Sequence, residues 1–294
     1  MKYRPVFALL VLAVLAPFFI QGTHSDAENL SADVSSKFSL TTAPCYLKVP
    51  VLDRKTRKCA LKQAKKWQSK ILKTFDEHEL RQAADVTIAL GWNHEALTYL
   101  KRLEKVTKNT TMAKNVKLEI ADINFAQGNL KTSGTLYEEY VNLYPGDKEK
   151  AAYAQYKGIL SNFYSMLEND RDQTRTLKTI ALADSFLEST SSLFKKYASD
   201  VRSIKTHCYT KLYQHDLNVF EFYFKKSSYK AAETRLASIK TKLLPYLPTI
   251  EPELLSCEYR VAQAQKDTPR ALKISHELSA RFPNYGTRVA EKKA

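Results

Sequence analysis

Six histidines, four cysteines and a dense run of lysine and arginine are the residues of this chain with the means to do chemistry. The histidines do not gather. His207 and His215 share one segment but stand eight residues apart, and His215 falls on an apolar stripe, so a packed imidazole is expected there rather than a metal ligand. Cys45, Cys59, Cys208 and Cys257 show no CxxC or CxxH spacing, which argues against a zinc site. They are candidates for disulfides, Cys45 with Cys59 and Cys208 with Cys257 among the connectivities open to them, and buried free thiols are the competing reading. No GxSxG, HExxH, phosphate-binding loop or GxGxxG occurs. A non-catalytic chain without a cofactor is expected.

The basic run is the strongest chemical feature. Arg54, Lys55, Arg57, Lys58, Lys62, Lys65, Lys66, Lys70 and Lys73 include no acidic residue among them and carry much of a net charge of +15. Such a patch suits an anionic membrane surface, an acidic protein surface or nucleic acid, or is simply a solvated helix face. Tyr209, Tyr213 and Tyr223 could stack on bases or sugars, but their helical spacing points to packing within a core.

The elements that must carry these groups are helices. Only 7 glycines and 10 prolines occur in 294 residues, too few for the tight turns of an all-β chain. Val201, Ile204, Cys208, Leu212, His215, Val219 and Phe222 recur in steps of three and four, as do Val116, Ile120 and Ile123. Ile180, Ala183, Leu187 and Phe194 extend the same pattern with one position omitted. That is the stripe a helix buries, and no comparable segment alternates with period two.

The N-terminus reads as an export signal. Lys2 and Arg4 precede an apolar run from Val6 to Ile20, shorter than the ~20 residues of a spanning helix, and Thr23 and Ser25 offer a cleavage site. An uncleaved anchor is the alternative. Export disfavours nucleic acid as a partner. The expected domains are a signal at 1–25, a polar, poorly ordered leader at 26–51, a helical unit at 52–285 and a basic tail at 286–294.

Punctuation divides that unit into repeats. Gly91-Trp92-Asn93 leads to Ala96, and Gly128-Asn129-Leu130 to Ser133 and Gly134. Ser227-Ser228-Tyr229 leads to Ala231 and Ala232, and Asp267-Thr268-Pro269 to Ala271. Later stops carry proline at Tyr144-Pro145, Leu247-Pro248 and Phe282-Pro283. Small residues let the two helices of a pair approach closely, and proline ends the second helix. The Gly91 and Gly128 breaks lie 37 residues apart, near the roughly 34-residue tetratricopeptide period. Five pairs are expected at about 74–107, 111–145, 148–198, 200–246 and 250–283, preceded by an eleventh helix at about 57–72. The fold class is therefore all-α, an α-solenoid of tetratricopeptide-like helix pairs forming a superhelix, with a compact bundle as the lesser alternative. The concave surface of such a fold serves protein binding.

From about Leu97 to Pro283 the chain resembles the BamD (YfiO, ComL) family of the outer-membrane β-barrel assembly machinery. Leu136-Tyr137-Glu138-Glu139-Tyr140-Val141-Asn142-Leu143-Tyr144-Pro145 is similar to its second repeat. Asp170-Arg171-Asp172-Gln173-Thr174 matches its Asp-Arg-Asp signature. The aromatic-rich Leu212 to Phe224 resembles its long helix, and Ser228 to Leu236 the helix after it, with Tyr229 and Arg235 in register. The resemblance implies a non-catalytic scaffold on the inner face of the outer membrane. Its C-terminal repeats would hold the periplasmic domains of the barrel insertase, and its N-terminal repeats unfolded outer-membrane proteins. Arg235 corresponds to the insertase-contacting arginine, with Tyr229, Asp170, Arg171 and Asp172 as further partner-binding candidates. The chain departs from the family in one place. No cysteine closely follows Ile20, and Cys45, the first, is preceded by Ala43-Pro44. Other readings are a different periplasmic tetratricopeptide adaptor, or an enzyme of the lytic-transglycosylase kind. The latter needs a catalytic domain after the solenoid.

Overall fold

The computed structural model describes residues 53–285 except 167, 169, 170 and 284. The expected signal, leader and tail, together with Cys45 and Asp170, lie outside the described residues. Eleven α-helices and two 3₁₀ turns make up the described fold, with no strand among the described residues. Helix α1 (Arg54–Gln68) begins where the Asp53 carboxylate accepts from the backbone N–H groups of Lys55 and Thr56, at 2.8 and 2.9 Å. Helix α2 (Glu77–Leu90) opens with a reciprocal capping box between Asp76 and Glu79. Then follow α3 (Asn93–Val106), α4 (Thr110–Ala126), α5 (Leu130–Leu143), α6 (Lys148–Tyr164) and α7 (Thr174–Leu187). The long α8 (Ser192–Lys225) precedes α9 (Tyr229–Lys242), α10 (Glu251–Ala264) and α11 (Thr268–Arg281).

Each helix packs on the next, so the chain is an α-solenoid of five pairs, α2–α3 through α10–α11, with α1 laid against α2. Four of the five turns within pairs share one backbone device. Gly91 and Gly128 take the left-handed conformation at φ 76° and 77°, and Ser227 and Lys266 take it at 57° and 61°. Glycine adopts it without cost, whereas a side chain there is strained by about 1 kcal/mol. The turn between α6 and α7 is built differently.

The expected boundary between the third and fourth pairs was misplaced. Residues 198–200 lie inside α8, a single 34-residue helix, and the break falls at 188–191. No glycine or proline lies near Ala198, and Ser199 and Asp200 alone leave the helix intact, whereas Ser189, Thr190 and Ser191 put three hydroxyls in a row that compete for backbone groups. The run from Ile180 to Phe194 therefore spans two helices, and Phe186, not Leu187, is buried and meets Phe194 at 4.8 Å.

The stripe on α8 also drifts. Val201, Ile204 and Cys208 are buried as expected, but burial then passes to Tyr209, Tyr213 and Phe220, leaving Phe222 58% exposed. The expected positions average 3.5 residues per step, and a straight helix rotates such a repeat by about 20° per heptad. Three heptads carry it off the core face.

The small residues meet a neighbour other than the expected one. Ser133 and Gly134 face α6, the first helix of the next pair, where the Ser133 and Ser161 hydroxyls lie 3.1 Å apart. A Cβ on Gly134 would stand 3.4 Å from that of Ser161. At the same crossing Asp122 of α4, wholly buried, accepts from the hydroxyls of Tyr137 and Tyr153 at 2.5 and 2.7 Å. One carboxylate thus ties three helices from two pairs.

Candidate protein-binding surface

The C-terminal pairs present the residues singled out for partner binding. Tyr229 starts α9, half-buried, with its ring 5.9 Å from that of Phe224 at the end of α8. With Ser227, Ser228, Lys230, Thr234 and Gln265 it lines an open cleft between the α8–α9 turn and the end of α10. Arg235 lies one residue beyond, on α9. Its guanidinium donates to Asp216 of α8 at 3.0 Å and keeps about a third of its side chain exposed. A guanidinium has five N–H donors in a planar fork, so one carboxylate does not exhaust it.

That pair is part of a wider lattice which the sequence did not reveal. Arg260 of α10 clasps both oxygens of Glu221 on α8, at 2.5 and 3.0 Å, and stacks over Phe224 at 4.6 Å. Arg270 of α11 pairs with Glu233 of α9, Lys240 with Glu258 at 2.8 Å, and Arg281 with Glu251 at 2.6 Å. Beneath them the Tyr213 hydroxyl donates to Glu253 at 2.6 Å, and burial together with that carboxylate drives its pKa far up. Each link joins residues about twenty to forty apart in the chain, outside the reach of any local pattern.

The Asp-Arg-Asp element is separate. It belongs to the α6–α7 connection, and no contact joins its described residues to Arg235 or Tyr229. Asp172 accepts from the backbone N–H and hydroxyl of Thr174, at 3.0 and 2.7 Å. These bonds hold its carboxyl below the usual range and give the first backbone N–H of α7 an acceptor. Buried Gln173 ties the turn together, donating to the carbonyls of Glu168 and Arg171 at 3.1 and 2.9 Å and accepting from Thr176 at 2.9 Å. Arg171 is exposed and makes no ion pair among the described residues. Asp170 lies outside them.

The described thiols are not bridged. Cys208 and Cys257 are both buried and free, each pushed up to about 12 by burial, and Cys208 packs its sulfur 3.8 Å from that of Met166. Both belong to one continuous core cluster yet stay unbridged, so the expected Cys208–Cys257 link is absent. Cys59 is exposed on α1, and its expected partner Cys45 lies outside the described residues. Among those residues no group of three or more His, Cys, Asp or Glu side chains could hold a metal ion. No described helix is long and apolar enough to cross a membrane.

No curated protein matches the chain. Residues 74–251 match the YfiO family, described as an outer membrane lipoprotein, an interval from the turn before α2 to the start of α10. With more than half of its length inside that match, on a helical solenoid of the expected repeat order, the chain belongs to the YfiO (BamD) family.

Proposed function

We propose that the protein is a non-catalytic scaffold of outer-membrane β-barrel assembly, acting on the periplasmic face of the outer membrane. Its C-terminal pairs hold the periplasmic domains of the barrel insertase. Arg235 and Tyr229 form the centre of that contact, with Arg171 and Asp172 on a second, upstream surface. The N-terminal pairs receive unfolded outer-membrane proteins.

The observation that carries the reading is the α8–α11 ion-pair lattice around a partly exposed Arg235 beside an open cleft. The lattice locks four helices together, so the surface is rigid before a partner arrives, which lowers the ordering cost of binding. Arg235 offers a planar fork with donors to spare, suited to a carboxylate on the partner. Pull-down from envelope extract tests it. The wild-type chain should recover the insertase, and Arg235→Glu should lose most of it. Full retention by the variant would remove Arg235 from the interface, and recovery of peptidoglycan enzymes without the insertase would overturn the assignment.

A further inference from the structure

Helix α1 carries a cationic face that the fold leaves unused. Ala60, Ala64 and Trp67 are buried against the rest of the molecule. Arg54, Lys55, Arg57, Lys58, Lys62, Lys65 and Lys66 are all exposed. At about 100° per residue, the three buried positions occupy about 60° of arc. Six of the seven cations, Arg57 excepted, fall within about 60° of the direction opposite Ala60. The charge is therefore aimed squarely away from the protein.

The same seven cations make no ion pair among the described residues, in contrast to five basic groups of the C-terminal repeats. Arg235, Lys240, Arg260, Arg270 and Arg281 each hold a carboxylate of another helix. Lys70, just after α1, likewise pairs with Glu79 at 2.5 Å. A solvated helix face ordinarily mixes signs. Among the described residues of α1 and its two caps the only acidic side chain is Asp53, and its carboxylate is engaged in capping the helix.

We propose that the outward face of α1 is a docking surface for an anionic phospholipid bilayer, holding the solenoid against the membrane by charge. A bilayer fits better than an acidic protein. Protein interfaces form around desolvated apolar or aromatic anchors, and the outward arc of α1 has none. Five of its six cations are lysines, hydrated point charges that suit mobile headgroup phosphates and gain nothing from a fixed fork geometry. The face stands at the N-terminal end of the described fold, opposite in chain order to the insertase surface. The proposal is independent of the insertase reading, and each can fail alone.

Vesicle partition of the full chain tests it, with phosphatidylcholine vesicles against vesicles containing 30% phosphatidylglycerol (on the order of physiological anionic content). Binding should require the anionic lipid and fall steeply with salt. Each basic residue near such a surface changes partition about fivefold, so K58Q, K62Q, K65Q and K66Q combined should lower it by two to about three orders of magnitude. The control replaces four exposed lysines elsewhere (K101Q, K105Q, K131Q, K273Q), which matches the net charge and should keep most of the binding. Circular dichroism confirms that both variants stay helical. Equal binding to neutral vesicles, an equal loss in the control, or no loss in the α1 variant would each overturn the proposal. An α1 variant unchanged on vesicles but impaired in insertase capture would assign the face to a protein instead.

Discussion

Asp122 offers the sharpest test of how the repeats cohere. It lies at 0% exposure on α4, and both Tyr137 of α5 and Tyr153 of α6 donate to its Oδ1, at 2.5 and 2.7 Å. The two rings meet edge-on at 6.4 Å. A hydrogen bond to a charged group contributes about 1.5–3 kcal/mol, and a buried hydroxyl stripped of its acceptor costs about 1–3 kcal/mol. Tyr153→Phe should therefore destabilise by about 1.5–3 kcal/mol. Asp122→Ala, which removes this acceptor from both hydroxyls, should cost roughly 2–6 kcal/mol. Urea unfolding followed by far-UV circular dichroism measures both, and hydrogen exchange in α4–α6 reports whether the loss is local, since solenoids can unfold repeat by repeat. A double-mutant cycle between Asp122 and Tyr153 should give a coupling of about 1.5–3 kcal/mol. A coupling near zero, or a Tyr153→Phe penalty below about 0.5 kcal/mol, would refute the claim that this carboxylate clamps the second pair to the third.

Two further outcomes follow from named residues. The imidazole of His207, edge-on to Phe163 at 5.1 Å, is pushed down to about 4 by burial, aided by the charge of Lys211. The unfolded chain takes up this proton near pH 6.5 and the folded protein only near 4, so stability present above about 6.5 is lost as pH falls toward 4. His207→Gln should flatten the stability profile across that window, by at most about 1.4 kcal/mol per pH unit, as measured by urea unfolding at stepped pH. Lys266 occupies the left-handed turn position that Gly91 and Gly128 hold in earlier pairs, so Lys266→Gly should raise stability by about 1 kcal/mol in thermal unfolding, and a loss would contradict the turn equivalence.

Much of this fold was legible in local pattern. The helix count, the five pairs and the four glycine-like breaks all follow from apolar spacing and turn residues, which act over a few positions. The boundary within the third and fourth pairs was not, because three hydroxyl residues at 189–191 stop a helix less visibly than glycine or proline. The stripe of α8 was legible only at its start, since a 3.5 repeat on a straight helix loses its face after two or three heptads. At the candidate surface, Arg235 and Tyr229 came from resemblance. Nothing local could show that Asp216 would meet Arg235, or that Arg260 would span from α10 to Glu221. Gln173 stands in the sequence only as a neighbour of the Asp-Arg-Asp element, yet its buried amide organises that turn. Such contacts depend on tertiary placement, and their only trace in the sequence is an excess of charge with no apparent partner nearby.

The central claim is that Arg235 reaches a partner carboxylate while its own pairing with Asp216 serves only to hold it ready. The direct measurement is the affinity of the purified chain for the insertase's periplasmic domains, compared with Arg235→Glu and Asp216→Asn. Losing a desolvated charge pair costs about 2–5 kcal/mol, so Arg235→Glu should weaken binding by roughly thirtyfold or more, whereas Asp216→Asn, which keeps an acceptor for the guanidinium, should weaken it by only about threefold or less. Equal weakening by both variants would reduce the arginine to a structural link between α8 and α9, and unchanged binding by Arg235→Glu would contradict the account outright.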